Sequence, residues 1–142
     1  MDTMNKEIFH KAKKHRNKRG AAMVEFALVL PILIMLLFGI IELGRAFYTW
    51  SLMSEAVREG ARAGVVELNN TTAVNVATQV ANNFLIAVAL PGTAVSSSIV
   101  TLSGSIKAVN VQANFAFQPL GLNGVIPPFT LTARSLMRQE GQ

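Results

Sequence analysis

A chain of 142 residues with a formal net charge of +5 is long enough for one small domain beside a basic and an apolar segment. Seven of its thirteen basic residues, but only two of its eight acidic residues, precede Gly20. Cysteine is absent, which excludes a disulfide framework and a thiolate metal site. Both histidines, His10 and His15, precede Gly20 as well, so a chain cut there has no imidazole for catalysis. We therefore predict no enzyme activity, no metal site and no cofactor.

The first segment, residues 1–20, is a basic leader with little apolar content. Positive charge beside an apolar span keeps that end of a protein in the cytoplasm, which is the role we predict for it. A solvated basic tail or a weak nucleic-acid-binding arm is the alternative. Because all of the net charge lies in this leader, we predict no nucleic-acid partner for the rest of the chain.

A long helix is predicted over residues 21–66, and its first part, residues 21–41, has the length of a membrane span. About 20 apolar residues cross a bilayer, and Phe26 to Ile41 contains no charged side chain. A buried core helix is one alternative, and a cleaved secretory signal ending near Gly44-Arg45-Ala46 is another. Pro31 removes one backbone donor inside the span, so we predict a helix bend there.

The helix is predicted to continue beyond the membrane span. Apolar residues recur at helical spacing after Glu42, at Leu43, Phe47, Trp50 and Val57. Unbroken from Ala22 to Gly64, the helix would measure about 65 Å at 1.5 Å per residue. Small residues along it allow a second helix to approach closely: Gly39, Gly44, Gly60 and Gly64.

Residues 67–142 are predicted to form a small α+β head. Capping side chains at 69–72 favour a helix over 73–90, which Pro91-Gly92 ends. Short β-branched and alternating stretches then predict about three antiparallel strands, at 98–102, 109–117 and 129–134. The fold class is thus a long N-terminal helix followed by a second helix on a small antiparallel sheet.

One constellation carries more information than its parts: Lys18-Arg19-Gly20, then Glu25, then a membrane-length apolar run. It resembles a class III (type IVb) prepilin signal. Together with the residues that follow, it is similar to the TadE-like pseudopilin family of tight-adherence (Tad/Flp) pilus systems. The matching residues are Gly20, Ala21, Ala22, Val24, Glu25, Phe26, Ala27, Pro31, Gly39, Gly44, Arg45, Ala56, Arg58, Glu59, Gly60, Ala61 and Arg62.

The resemblance implies cleavage between Gly20 and Ala21 by a membrane prepilin peptidase. It also implies that Glu25 pairs with the freed amine of Ala21, in its own chain or a neighbour, during assembly. An interfacial carboxylate favoured by the helix N-terminus is the alternative for Glu25. Family members often have Tyr after the glutamate, whereas this chain has Phe26, so the ring is kept and the hydroxyl is lost.

The function that the resemblance implies is that of a minor pilin or pseudopilin. Its expected partners are the prepilin peptidase, other pilin or pseudopilin subunits, an inner-membrane assembly platform and the lipid bilayer. The expected location is the inner membrane, single-pass, with the N-terminus in the cytoplasm and the head outside, or the pilus surface after assembly. The alternative is an uncut single-pass protein whose head binds a partner outside the cytoplasm.

Overall fold

The computed structural model describes the backbone of residues 3–102, 106–121 and 126–139, with side chains from residue 20 onward. The chain divides into two units, Met1–Ile41 and Glu42–Gln142. The first helix, α1, is continuous over Thr3–Val65. It therefore begins within the leader, for which the sequence analysis predicted no helix. Residues 3–19 contain no Gly or Pro to stop a helix and are rich in Lys and Arg, which favour one.

The second unit contains the last part of α1, a second helix and three strands. Helix α2 spans Asn70–Ala87, and the strands are β1 (Ala94–Thr101), β2 (Lys107–Phe117) and β3 (Phe129–Arg138). The strands form one antiparallel sheet in the order β1-β2-β3. The predicted α+β fold, with a long N-terminal helix, a second helix and a three-stranded sheet, is confirmed.

The ends of α2 follow from local side-chain and backbone chemistry. Asn69 is the N-cap, and its side-chain oxygen accepts hydrogen bonds from the backbone N–H groups of Thr71 at 2.9 Å and Thr72 at 3.5 Å. The helix ends before Ala89, which has a positive φ of 57°, and Gly92 with φ 86° turns the chain toward β1. The capping predicted for this turn is therefore confirmed.

The inner face of the sheet supplies four of the twelve buried core residues, because side chains on a strand alternate between the two faces. Val109, Val111 and Ala113 of β2 are fully buried, whereas Asn110 and Gln112 lie on the other face and are only partly buried. The helices supply the remainder of the core. Its buried helical members are Met53, Ala56, Val57, Ala61, Ala73, Ala77, Ala81 and Leu85.

Candidate functional site

The residues predicted for processing and assembly lie along the exposed first part of α1. Gly20, Ala21 and Glu25 are exposed, and Phe26 is 63% exposed. Ala21 and Glu25 are four residues apart, which places them one turn apart on the same side of the helix. Because α1 begins at Thr3, Ala21 is an internal helical residue in this structure. Cleavage and the pairing of Glu25 with a freed amine stay predictions.

The apolar part of α1 is long enough to cross a membrane and is not covered by protein. The stretch Gly20–Val65 contains an 18-residue window with a mean hydropathy of 2.7, and none of that window is buried. This exposure is opposite to that of a core helix, which would be largely buried. Pro31 lies inside the helix without interrupting it, and the bend predicted there stays a prediction.

A buried carboxylate stands at the start of the second unit, immediately after the predicted span. Glu42 is 7% exposed, and its Oε1 accepts hydrogen bonds from the backbone N–H groups of Leu120 at 2.8 Å and Gly121 at 2.9 Å. Its Oε2 accepts a hydrogen bond and ion pair from Nη1 of Arg45. The side chain thus ties α1 to the loop that follows β2.

Electrostatics favour the ionised form of Glu42, which lies outside the predicted span 21–41. The backbone N–H of Gly121 contributes most to lowering its pKa, and the N–H of Leu120 and the Arg45 charge lower it further. Partial burial raises the pKa of Glu42, but these contacts together lower it by more. We therefore describe Glu42 as a charged acceptor at neutral pH.

Arg45 extends this arrangement to the aromatic end of the sheet. Its guanidinium carbon lies 5.0 Å from the centroid of the Phe117 ring, a cation–π distance. The Phe117 ring in turn packs at 5.3 Å from that of Phe129, its register partner on β3. We call Glu42, Arg45 and Phe117, with the backbone of 120–121, the Glu42 clamp.

The sequence analysis missed the Glu42 clamp, although it used Arg45 as part of the family resemblance. The partners of Glu42 are backbone groups 78 and 79 residues away, and no side-chain pattern marks them. The available signal was the i, i+3 spacing of Glu42 and Arg45 directly after an uncharged run.

The second part of α1 packs closely against α2 through small residues. A Cβ placed on Gly60 would lie 2.6 Å from the carbonyl oxygen of Ala77 and 2.9 Å from the Cβ of Ala81. One placed on Gly64 would lie 2.9 Å from the carbonyl oxygen of Ala73. We call these five residues the small-residue seam. It provides the close helix approach predicted at Gly60 and Gly64, whereas nothing lies within 4 Å of such a Cβ at Gly39 or Gly44.

Among the residues whose side chains the structure describes, no group of three or more potential metal ligands occurs. The residues brought together at the clamp are one carboxylate, one guanidinium and an aromatic ring, all engaged with one another or with backbone. Their arrangement can hold a loop on a helix.

Comparison with protein families matches the part of the chain that carries these features. Residues 20–62 match the family model described as TadE-like protein. This segment is TadE-like. It begins at the predicted cleavage glycine, includes Glu25, Glu42 and Arg45, and extends into the small-residue seam at Gly60. The resemblance predicted from the sequence is therefore confirmed.

The TadE-like segment and the uncovered apolar helix together indicate a membrane-anchored protein. The match also supports the association with Tad pili implied by the resemblance. The three strands and the whole of α2 lie outside the matched residues. No curated protein and no solved structure shows significant similarity to the chain.

Proposed function

We propose that this protein is a minor pilin or pseudopilin of a Tad-type pilus. It is anchored by residues 21–41, cleaved after Gly20 by a prepilin peptidase, and assembled through its N-terminal helix into the pilus or at its base. The observation that carries this proposal is the TadE-like match over residues 20–62. The matched residues include the apolar stretch of α1 that is long enough to span a membrane and that the protein does not cover.

The exposed apolar helix suits both environments that such a subunit meets. Its large side chains are uncovered in the single chain, for example Leu28 at 70% and Ile32 at 69% exposure. Lipid tails can cover them while the protein is anchored, and helices of neighbouring subunits can cover them after assembly. Transfer between these two environments keeps the apolar surface away from water, which would cost roughly 25 cal/mol per Å² exposed.

Glu25 has the position needed to set the register between subunits. It is the one acid between Gly20 and Glu42, and it lies one turn from Ala21. A carboxylate within an apolar helix is costly unless it is paired, and the amine freed at Ala21 would supply the opposite charge. The pairing would therefore form only when the chain has been cut and the two groups are brought together.

Topology follows from the charge distribution under this proposal. The basic leader stays in the cytoplasm, the span crosses the inner membrane and the head lies outside. The partners are the prepilin peptidase at Gly20-Ala21, other pilin or pseudopilin subunits, the inner-membrane assembly platform and the lipid bilayer.

The cleavage step is tested by intact-mass measurement and N-terminal sequencing of membrane-extracted protein, with and without the peptidase. We expect the chain to start at Ala21 only when the peptidase is present. Gly20→Leu should abolish cleavage because a branched side chain blocks a narrow protease site. Gly39→Leu is the matched control and should be cut normally, because no atom lies within 4 Å of the Cβ position of Gly39.

A start at Met1 with and without the peptidase would overturn the pseudopilin proposal. That result would favour the uncut single-pass anchor with a partner-binding head. Both proteins would share the fold and topology, so only the N-terminus distinguishes them.

The role of Glu25 is tested by Glu25→Ala in cells that assemble the pilus. Membrane insertion should be unchanged, and incorporation should fall about tenfold if the lost pairing is worth about 1.4 kcal/mol at equilibrium. Quantitative immunoblotting of sheared pili against total membrane protein measures this ratio. Glu55→Ala, at an exposed glutamate further along α1, is the control and should incorporate normally. Normal incorporation of Glu25→Ala would make Glu25 an interfacial carboxylate only.

A further inference from the structure

Charge is distributed unevenly along the head. The chain from 118 to 133 contains no charged residue, and neither does the part of α1 from 46 to 54. At one end of the sheet, Phe117 pairs with Phe129, whereas Lys107 and Arg138 stand at the other end of β2 and β3. Ten residues of β2 separate these ends, about 33 Å at 3.3 Å per residue. Apart from the paired Glu42 and Arg45, one end of the head is therefore uncharged, and the other end is charged.

The uncharged end carries large apolar side chains that the protein does not cover. Leu43, Phe47 and Tyr48 of α1 are 72%, 67% and 65% exposed, and Trp50 is 43% exposed. Across from them, Leu120 is 73% exposed and Phe129 is 43% exposed. We call these six residues the apolar collar. An exposed apolar patch with so many large members marks a surface that is covered in the working protein.

Contacts join the members of the apolar collar into one surface. The backbone N–H of Leu120 binds Glu42, one residue before Leu43. The rings of Phe47 and Trp50 lie 6.1 Å apart, and Nε1 of Trp50 donates to the carbonyl oxygen of Thr132, three residues from Phe129. The collar thus lies along the exposed side of α1 at the start of the second unit and beside the loop that follows β2.

Two charged side chains beside the collar, Glu42 and Arg45, neutralise each other. Glu42 is nearly buried, and its carboxylate is satisfied by Arg45 and by two backbone N–H groups. A charge that is already paired and hydrogen-bonded loses little more solvation when the surface around it leaves water. The clamp therefore removes the main electrostatic obstacle to covering this end of the head with an apolar medium.

We propose that the apolar collar seats the head in the headgroup region of the outer leaflet of the membrane that α1 crosses. Residues 21–50 of a helix measure about 45 Å at 1.5 Å per residue. This length equals the roughly 40–45 Å of a bilayer with both of its headgroup layers. Tyr48 and Trp50 are the residue types enriched at that interface. Beyond the span, the charges of Glu42 and Arg45 are paired with each other, and the next charged residue of α1 is Glu55.

The position of the collar along the chain indicates that lipid, and not a second copy of the protein, covers it. The collar continues an apolar helix that is fit to span a membrane, since Leu43 is two residues beyond Ile41. The proposal requires membrane anchoring only, so it does not depend on cleavage or on pilus assembly. A head held in this way would keep the same depth before and after the leader is removed.

Trp50 is the single tryptophan of the chain and therefore reports on the collar directly. The full chain is reconstituted at low protein-to-lipid ratio into vesicles of phosphatidylethanolamine and phosphatidylglycerol. Lipids brominated near the carbonyl end of the acyl chain quench tryptophan in the headgroup region, and acrylamide quenches tryptophan in water. We expect brominated lipid to lower Trp50 emission at least about twofold, because an interfacial ring contacts these atoms. Acrylamide should have little effect.

A pair of double variants separates the collar from exposed apolar residues in general. Leu43→Ser with Leu120→Ser removes two collar members that are 72% and 73% exposed. Val66→Ser with Ile86→Ser removes two residues of similar exposure, 77% and 66%, outside the collar. The first pair should about halve quenching by brominated lipid, since the transfer energy of two leucines is lost. The second pair should leave it unchanged, and circular dichroism should show both pairs folded.

Two results would overturn the proposal. Strong quenching by acrylamide without quenching by brominated lipid would place the collar in water. Shielding from both quenchers that disappears when the protein is diluted in lipid would show that a second copy, and not the bilayer, covers the collar.

Discussion

The two parts of α1 use apolar residues in opposite ways. From residue 21 to 41 the helix carries large side chains, and these are exposed, as Leu36 is at 59%. From residue 42 to 65 the buried residues are mainly small, as Ala56 and Ala61 are at 0% exposure. The large apolar residues of this second part that lie nearest the span, such as Phe47, are exposed instead.

This comparison shows that side-chain size distinguishes the two kinds of apolar surface better than hydropathy does. A lipid tail fills the space around a large side chain without any fixed shape. A packed helix requires a matching surface, and small residues allow the backbones to approach closely. A helix that passes from lipid into a folded head should therefore change from large to small residues on its covered face.

The largest expected effect is the loss of stability when a buried large side chain is truncated, compared with the truncation of an exposed one. Met53→Ala should lower the stability of the head by about 2–5 kcal/mol, because Met53 is fully buried and its removal leaves a cavity. Leu36→Ala, in the exposed part of the same helix, should leave the head unchanged. The melting temperature of the head, followed by near-ultraviolet circular dichroism in detergent, measures both. Equal losses in the two variants would contradict the distinction between the parts of α1.

A smaller effect tests the small-residue seam. Gly60→Ala should cost about 1–3 kcal/mol, because the new methyl group lies 2.6 Å from a backbone carbonyl oxygen that cannot move alone. Each kcal/mol corresponds to a fall of about 4–8 °C in the melting temperature of a domain of this size.

Gly44→Ala is the matched change on the same helix. No atom lies within 4 Å of its Cβ position, and alanine favours a helix over glycine by up to about 1 kcal/mol. Its melting temperature should therefore stay the same or rise. If Gly60→Ala were as stable as Gly44→Ala, the close approach of α1 and α2 would not be present in solution.

The smallest expected effect is the pH dependence of the Glu42 clamp. The pKa of Glu42 is lowered from its ordinary value of 4.5, so its carboxylate stabilises the folded head fully above that value. The contribution is lost as the pH falls from there through the lower pKa of the folded state. The difference in melting temperature between the natural protein and Glu42→Gln should therefore shrink between pH 7 and about pH 3. A difference that stays constant would show that the charge of Glu42 contributes nothing to the clamp.

Local patterns in the sequence were sufficient to predict the elements of the head. The second helix was predicted over 73–90 and spans Asn70–Ala87, and the third strand was predicted from Phe129, where β3 begins. The first strand was predicted at 98–102 but begins at Ala94, because Ser96 and Ser97 interrupt the apolar pattern before the β-branched run. Ser96 lies on the exposed face, while Val95 and Ile99 pack against the core.

The contacts that hold the parts together could not be predicted in the same way. The clamp depends on backbone groups whose position is set by the fold, and the small-residue seam pairs Gly60 with Ala77 across a turn. Glycine and alanine give weak signals in a hydropathy pattern. The predicted stripe is exposed at Leu43, Phe47 and Trp50, and it is buried in the core at Val57. The predicted residues Gly20 and Glu25 lie in the exposed part of α1, where a single chain provides no contacts to test them.

The strand order has a consequence for how quickly the head can form. Each strand pairs with the strand next to it in the chain, and α2 leads directly into β1. Contacts between neighbouring elements close short loops, and a low contact order favours rapid folding. No disulfide has to form, because the chain contains no cysteine. The sheet can therefore form strand by strand as it emerges from a membrane, without an oxidising compartment, whereas the Glu42 clamp can close only when the loop after β2 reaches α1.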